Sequence, residues 1–301
     1  MTSAVHLDHV TRRFGDVLAL DDVSLDVAPG ELVGVLGPNG AGKSTMLSLV
    51  TGQRAPSSGT VRVFDGDPRQ ASTRVHLGVT PQDTGLPPTL RVAEVVAFVG
   101  GHYPDPFATD ELLERFDLAD LARRQCGGLS GGQQRRLAVA LSMVGRPRLV
   151  LLDEPTTGLD VDARTALWAA VRGYCADGGT VVLTSHYLEE VQQLAERVVV
   201  VAEGRVLVDD TVDAVIAHVD VDRVTMHSPD RAVGDLAGVT DCHWTGDRVE
   251  VLTPDADAFV RSLVASGVEF SHLRVQGASL EDAFTQLTRH QSAAPAEEAH
   301  A

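Results

Sequence analysis

Lysine is almost missing from this chain. Of its 25 basic residues only one, Lys43, is a lysine. Long apolar runs are missing too. None approaches the ~20 residues that a helix needs to span a bilayer, so a membrane-spanning helix is excluded. The first residues, Met1-Thr2-Ser3-Ala4-Val5-His6, carry no basic region and no apolar stretch, and no secretory leader is expected. Cysteine is scarce. Cys126, Cys175 and Cys242 stand far apart and match no zinc or disulfide spacing. Three lone thiols fit a reducing cytoplasm, each as a small buried or half-buried residue. Surplus positive charge is absent as well: 42 acids face 25 bases, for a net charge of −17. Such a surface repels nucleic acid and anionic lipid unless a basic patch overrides it. Arg123-Arg124 and Arg135-Arg136, besides Arg12-Arg13, read as solvated helix faces and local ion pairs, so no nucleic-acid partner is expected.

What is present starts with that one lysine. It stands in Gly37-Pro38-Asn39-Gly40-Ala41-Gly42-Lys43-Ser44-Thr45, a G-x-x-x-x-G-K-[ST] frame. A compact ammonium fits between two phosphate groups where a planar guanidinium is too wide. Residues 31–36 read as a short buried strand before the loop, and 46–50 as the start of a helix after it. The glycines let backbone N–H groups curl around phosphates, and the helix N-terminus adds partial positive charge. Lys43 is expected on the β- and γ-phosphates and the Ser44 hydroxyl on Mg²⁺. The expected ligands are therefore a nucleoside triphosphate and Mg²⁺.

The 301 residues, 44% hydrophobic, suffice for one large core and a small second domain. Alternating patterns at 5–10 and 23–27 read as half-exposed strands, and further strands are expected at 59–64, 76–80, 148–152, 180–184 and 197–202. Helical patterns fall between 91 and 121, after Gly131-Gly132, and at 162–176 and 187–195. Strands alternating with helices predict an α/β fold with a mainly parallel sheet. Near residue 217 the character changes. Strand 223–228, helix 231–237, a hairpin over 241–252 turning at Gly246-Asp247, helix 256–266, strand 269–275 and helix 280–289 resemble a split βαββαβ unit. The tail, 291–301, is rich in Ala, Glu and Pro and reads as disordered.

Two more stretches carry chemistry. Leu151-Leu152-Asp153-Glu154 is an apolar strand ending in two acids. In a phosphate-loop enzyme the first, Asp153, holds Mg²⁺, and Glu154 is placed to polarise the attacking water. Leu129-Ser130-Gly131-Gly132-Gln133 puts a serine and two glycines at a helix N-terminus, a second anion-binding surface.

Together these stretches resemble the ATP-binding subunits of ABC transporters, over about 5–210. The resemblance implies the P-loop NTPase fold of an ABC ATPase, with an antiparallel β subdomain, a helical subdomain at about 83–145, an ATP-binding domain over 1–216 and a small α+β accessory domain over 217–290. It implies that Phe14 stacks on adenine. Gln82 matches the glutamine that touches Mg²⁺ and the attacking water. Ser130, Gly131, Gly132 and Gln133 match the signature that closes over the ATP of the other subunit. Asp160 matches the aspartate of the loop that crosses the dimer interface, and His186 the switch histidine on the γ-phosphate. It also implies a homodimer, or a heterodimer with another ABC ATPase, seated on the cytoplasmic face of a membrane through a separate integral permease. Asp162-Ala163-Arg164 followed by Leu167-Trp168, His186-Tyr187-Leu188-Glu189-Glu190 and Ser279-Leu280-Glu281-Asp282-Ala283-Phe284 are similar to multidrug and antibiotic-resistance subunits of the ABC-2 type, and imply export. A soluble ABC ATPase acting on ribosomes or DNA is the alternative.

Overall fold

A computed structural model of the chain describes residues 3–80, 85–217 and 221–292. It divides into two compact units, Met1–Thr211 and Val212–Ala301.

The first unit begins with β1 (Val5–Phe14) and β2 (Val17–Val27), whose burial alternates as the sequence pattern predicts. β3 (Leu32–Leu36) is buried at every position, as expected for a central strand covered on both faces. Then follow α1 (Lys43–Val50), β4 (Ser58–Val63), α2 (Ala71–Arg74), β5 (Leu77–Thr80), α3 (Val92–Gly100), α4 (Thr109–Arg115), α5 (Gly131–Met143), β6 (Leu149–Asp153), α6 (Val161–Ala176), β7 (Thr180–Thr184), α7 (Leu188–Leu194), β8 (Arg197–Ala202) and β9 (Arg205–Thr211). The main sheet runs β5-β6-β7-β3-β8-β9. Its pairings are parallel except that of β9 with β8. A second, antiparallel sheet runs β2-β1-β4. Inward residues of both sheets, among them Val5, Leu7, Leu25, Val33 and Val35, join Met46, Leu49 and Val50 of α1 in one apolar cluster. Burying one such side chain contributes about 1.5–3 kcal/mol. Helices α3, α4 and α5 pack on one another and bury Val92, Val96, Leu112 and Leu137, and α5 also lies along β5.

The second unit holds α8 (Val212–Ala217), β10 (Asp222–His227), β11 (Asp241–Thr245), β12 (Arg248–Thr253), α9 (Ala256–Ser266), β13 (Ser271–Gln276) and α10 (Leu280–Ser292). Its sheet order is β11-β12-β10-β13, with every pairing antiparallel. The element after β10, expected as a helix over 231–237, is a single 3-10 turn over Arg231–Asp235. Gly234 and Gly238 fall within and just after it, and glycine weakens a helix most among residues other than proline. Val224, Met226, Val249 and Val251 of the sheet pack on Phe259 and Leu263 of α9. Helix α10 takes in Gln291 and Ser292, which the composition assigned to the tail. Residues 293–301 of that tail lie outside the described residues.

Candidate functional site

The register of the main sheet aligns three loops. Asp153 pairs with Thr184, and Val35 pairs with Thr184 from the other side. The chain segments that leave β6, β7 and β3 therefore start next to one another at the C-terminal edge of the sheet, where open α/β sheets bind ligands.

Leaving β3, the chain turns through 37–42 and enters α1. Gly42 makes the entry possible: its φ is 105°, and a Cβ there would lie 2.5 Å from the Ala19 carbonyl oxygen. A Cβ at Gly37 would collide with the Val201 carbonyl. The loop closes on itself through Ala41 N–H to Pro38 O at 3.2 Å, and Ala41 O accepts from Gly204 N–H at 3.1 Å. Asn39 and Gly40 are exposed, and Thr45, in the first turn of α1, gives its carbonyl to the Ser48 hydroxyl at 2.7 Å. The Lys43 ammonium donates to Gly37 O at 2.6 Å and to Pro38 O at 3.1 Å. Burial lowers its pKa, while the facing Glu154 and Asp153 oppose that shift.

The two acids after β6 have separate surroundings. Asp153 accepts from Thr184 Oγ1 at 2.5 Å on one oxygen and from Ser44 Oγ at 3.4 Å on the other. Glu154 sits at φ 49°, in the left-handed region that a side chain adopts at a cost of about 1–3 kcal/mol. One of its oxygens meets His186 Nδ1 at 3.1 Å, and the other accepts from Thr157 Oγ1 at 3.4 Å. Lys43, Ser44, Asp153, Glu154 and His186 thus lie in one cluster.

Three members were not foreseen. Thr184 orients Asp153. Arg135 donates through Nη2 to the carbonyls of Asp153 and, at 3.0 Å, of Glu154. Glu190 accepts from Ser185 Oγ at 2.6 Å and Thr156 Oγ1 at 3.0 Å, tying the segment before His186 to the segment after Glu154. Burial pushes the Glu190 carboxyl above the usual range, against the hydrogen bonds from Ser185 and Thr156. The expectation that Arg135 and Arg136 lie on a solvated face is corrected here: both are buried, at 7% and 8% exposure. Arg136 does make a local ion pair, with Asp117 at 2.6 Å. The available signal was Leu137-Ala138-Val139-Ala140, four consecutive apolar residues that leave α5 no fully solvated side.

The remaining candidates stand elsewhere. Ser130 is the N-cap of α5 in a reciprocal capping box. Its hydroxyl accepts from Gln133 N–H at 3.3 Å and its own N–H donates to Gln133 Oε1 at 3.0 Å. Gly131 is open to solvent, and Gly132 faces Leu159. Among the described residues no hydrogen bond or ion pair joins these four to the phosphate loop. Asp160 caps α6, accepting from Ala163 N–H at 2.8 Å. Phe14 ends β1 half-buried, with the guanidinium groups of Arg12 and Arg54 at 4.5 and 4.9 Å from its ring centre. Gln82 lies outside the described residues.

The donor set suits Mg²⁺ bound together with a phosphate ligand. Mg²⁺ prefers hard oxygens, takes one or two carboxylates and completes its shell with substrate phosphate and water. Ser44 Oγ and the Asp153 carboxylate offer that pair of oxygens. Among the described residues no three His, Cys, Asp or Glu side chains form an all-protein metal cage.

Residues 20–157 match the family model described as ABC transporter. The daunorubicin resistance ATP-binding protein DrrA3 of Streptomyces coeruleorubidus is 37% identical over 95% of this chain and 96% of its own length. A Nod factor export ATP-binding protein I of Paraburkholderia xenovorans is 35% identical over 95% of this chain and 97% of its own. Among solved structures, a dimeric ATP-binding cassette in a post-hydrolysis state with ADP and Pi superposes with a TM-score of 0.62 at 27% identity, covering 69% of this chain and 98% of that one. No helix among the described residues is long and apolar enough to cross a membrane.

Proposed function

The chain belongs to the ABC transporter family, as the ATPase subunit of an exporter-type system, and we propose that two copies close head to tail around two ATP molecules to drive a separate membrane permease. In this reading the loop N–H groups and Lys43 hold the β- and γ-phosphates, and Phe14 offers its ring to adenine. Ser44 and Asp153, and by the resemblance Gln82, would hold Mg²⁺, which would supply positive charge against the phosphates. Glu154 takes the proton of the attacking water. His186 holds Glu154 in place at 3.1 Å and reaches the γ-phosphate. Arg135 fixes the backbone that carries both acids.

The observation that supports a dimer is the separation of two anion-binding surfaces on one chain. The catalytic cluster is built from the loops after β3, β6 and β7. The capping box of Ser130 and Gln133 uses the Gln133 N–H, and the N–H groups of Gly131 and Gly132 have no acceptor within the helix. Those groups are free for the γ-phosphate of an ATP bound to a second copy, with Asp160 at the same seam. ATP is then part of the interface, and closure depends on its concentration. The permease places the subunit peripherally on the cytoplasmic face of a membrane. The name of the daunorubicin-resistance relative favours a drug or antibiotic as cargo.

Glu154→Gln tests the reading. The variant should lose turnover and form a dimer that requires and retains ATP. Unchanged turnover would remove Glu154 as the base, and a variant that stays monomeric with ATP bound would remove the head-to-tail dimer. Recovery of the same tagged variant from detergent-solubilised cells tests the partner. A multi-span membrane protein supports the permease, whereas ribosomal or DNA-repair proteins alone would overturn it.

A further inference from the structure

The outer face of the C-terminal sheet gathers basic side chains at one end. Register places His227 of β10 opposite Arg248 of β12, and Thr225 of β10 opposite Arg274 of β13. Residues two apart on a strand share a face, so these four side chains lie on one side of the sheet, away from the Val224–Phe259 core. His227 and Arg248 stand directly across the ladder, and Arg274 stands on the same face opposite Thr225, so basic groups gather there and repel unless an opposite charge joins them. At the other end of this face the chain supplies that charge: Arg223 pairs with Glu250 at 2.8 Å and with Asp282 at 2.5 Å. At the His227 end it does not. Arg248 and Arg274 have no acidic partner among the described residues. Asp247 is engaged by His227 Nδ1 at 3.2 Å, and Glu250, across from Thr225, is taken by Arg223. With 42 acids against 25 bases, local counter-charge was plentiful.

The backbone is unusual at the same place. The β10–β13 register slips between Thr225 and His227, and His272, beside the slip, sits at φ 53° in the left-handed region. His272 meets His227 edge to face with ring centres 5.4 Å apart. These groups, with Ser271, line an open cavity of about 480 Å³. That is room for far more than a single ion. The Asp247 carboxylate also lines the cavity and is held by His227, while two guanidinium forks, the His272 imidazole and two hydroxyls make a donor set for oxyanions, and the arginines disfavour a metal cation.

We propose that this cavity binds a phosphorylated anion, gripped by Arg248 and Arg274, with His272 and Ser271 as further donors and His227 beside them. Phosphate is favoured because two arginines can each present a bidentate fork to its oxygens. The phosphate can belong to a soluble metabolite or to a lipid headgroup. The site shares no residue with the phosphate loop and does not depend on the transport reading.

The test uses the full chain with its phosphate loop filled by a slowly hydrolysed ATP analogue. Inorganic pyrophosphate is titrated while the imidazole NMR signals of His227 and His272, assigned from His227→Gln and His272→Gln, are followed. A saturable shift with half-saturation below about 1 mM is expected. In the doubly substituted chain, Arg248→Gln with Arg274→Gln, affinity should fall at least about tenfold. Both arginines are exposed, so this variant keeps its fold, and an unchanged thermal midpoint checks that. In parallel, the chain is sedimented with phosphatidylcholine vesicles with and without phosphatidic acid. Retention on phosphatidic acid that the double variant loses assigns a lipid headgroup. Pyrophosphate binding without retention assigns a soluble ligand. No response in either arm, or equal responses in wild type and double variant, overturns the proposal.

Discussion

Replacing Glu190 by alanine should destabilise the ATPase unit by about 2–4 kcal/mol at neutral pH and slow turnover without weakening ATP binding. The carboxylate is 1% exposed and accepts from Ser185 Oγ at 2.6 Å and Thr156 Oγ1 at 3.0 Å, and Ser185 Oγ in turn accepts from Tyr187 N–H at 2.9 Å. Truncation strands two buried hydroxyls, each worth about 1–3 kcal/mol, and leaves a cavity. Relief of the buried charge offsets part of that loss. Ser185 precedes His186, and Thr156 follows Glu154 by two positions, so loosening the tie moves the pair that meets at 3.1 Å. We expect kcat to fall about tenfold with KM for ATP nearly unchanged. Glutamine keeps one acceptor oxygen and should cost less. Its signature is in the pH dependence. Burial raises the folded-state pKa of Glu190 above its ordinary value of 4.5. Its contribution to stability is therefore fully present below pH 4.5 and is lost as pH rises through the folded pKa. Glu190→Gln lacks that loss, so denaturant midpoints from pH 4.5 upward should decline less steeply than in wild type. An alanine variant as stable and as active as wild type, or a glutamine variant with the wild-type pH slope, would refute the reasoning.

Further outcomes concern the phosphate loop and the thiols. Lys43→Arg should weaken ATP binding about 10–100-fold in a fluorescent-nucleotide titration, because a guanidinium does not fit where the ammonium reaches Gly37 O and Pro38 O. Wild-type affinity in that variant would contradict the fit. Gly42→Ala should lower both the thermal midpoint and ATP affinity, since a Cβ at φ 105° meets the Ala19 carbonyl; an unchanged midpoint would argue against that approach. Burial pushes the Cys175 thiol from 9.0 up to about 12. Iodoacetamide at pH 8 should therefore modify native Cys175 about a thousandfold more slowly than the unfolded chain, as peptide mapping would show. Equal rates would contradict its burial.

Much of this fold can be read in the sequence because the informative signals are local. Val33, Val35, Leu149 to Leu152 and Val181 to Leu183 form runs that only a doubly covered strand tolerates, and the glycines of 37–42 announce their loop within nine residues of chain. The strand Arg205–Thr211 was not read. It is a polar edge strand ending in Asp209-Asp210-Thr211, and only its antiparallel pairing with β8 makes it a strand. The site divides in the same way. Lys43, Ser44, Asp153, Glu154 and His186 occupy marked positions in short patterns. Thr184 on Asp153, Arg135 on two carbonyls, and Glu190 between Ser185 and Thr156 depend on partners that only the packed sheet and helices bring together. Arg135 shows how composition misleads: an Arg-Arg pair usually solvates a helix, and here the carbonyls of Asp153 and Glu154 draw one of them inside.

The central claim, that one chain's Lys43 works with another chain's Ser130, is tested most directly by mixing two inactive variants. Lys43→Ala keeps an intact signature, and Ser130→Arg keeps an intact phosphate loop. Each alone should hydrolyse almost no ATP. Mixed in equal amounts, half of the dimers pair unlike chains, and each of those has one intact site of two. ATPase activity should then return to roughly a quarter of wild type. A mixture no more active than its parts would contradict the composite site.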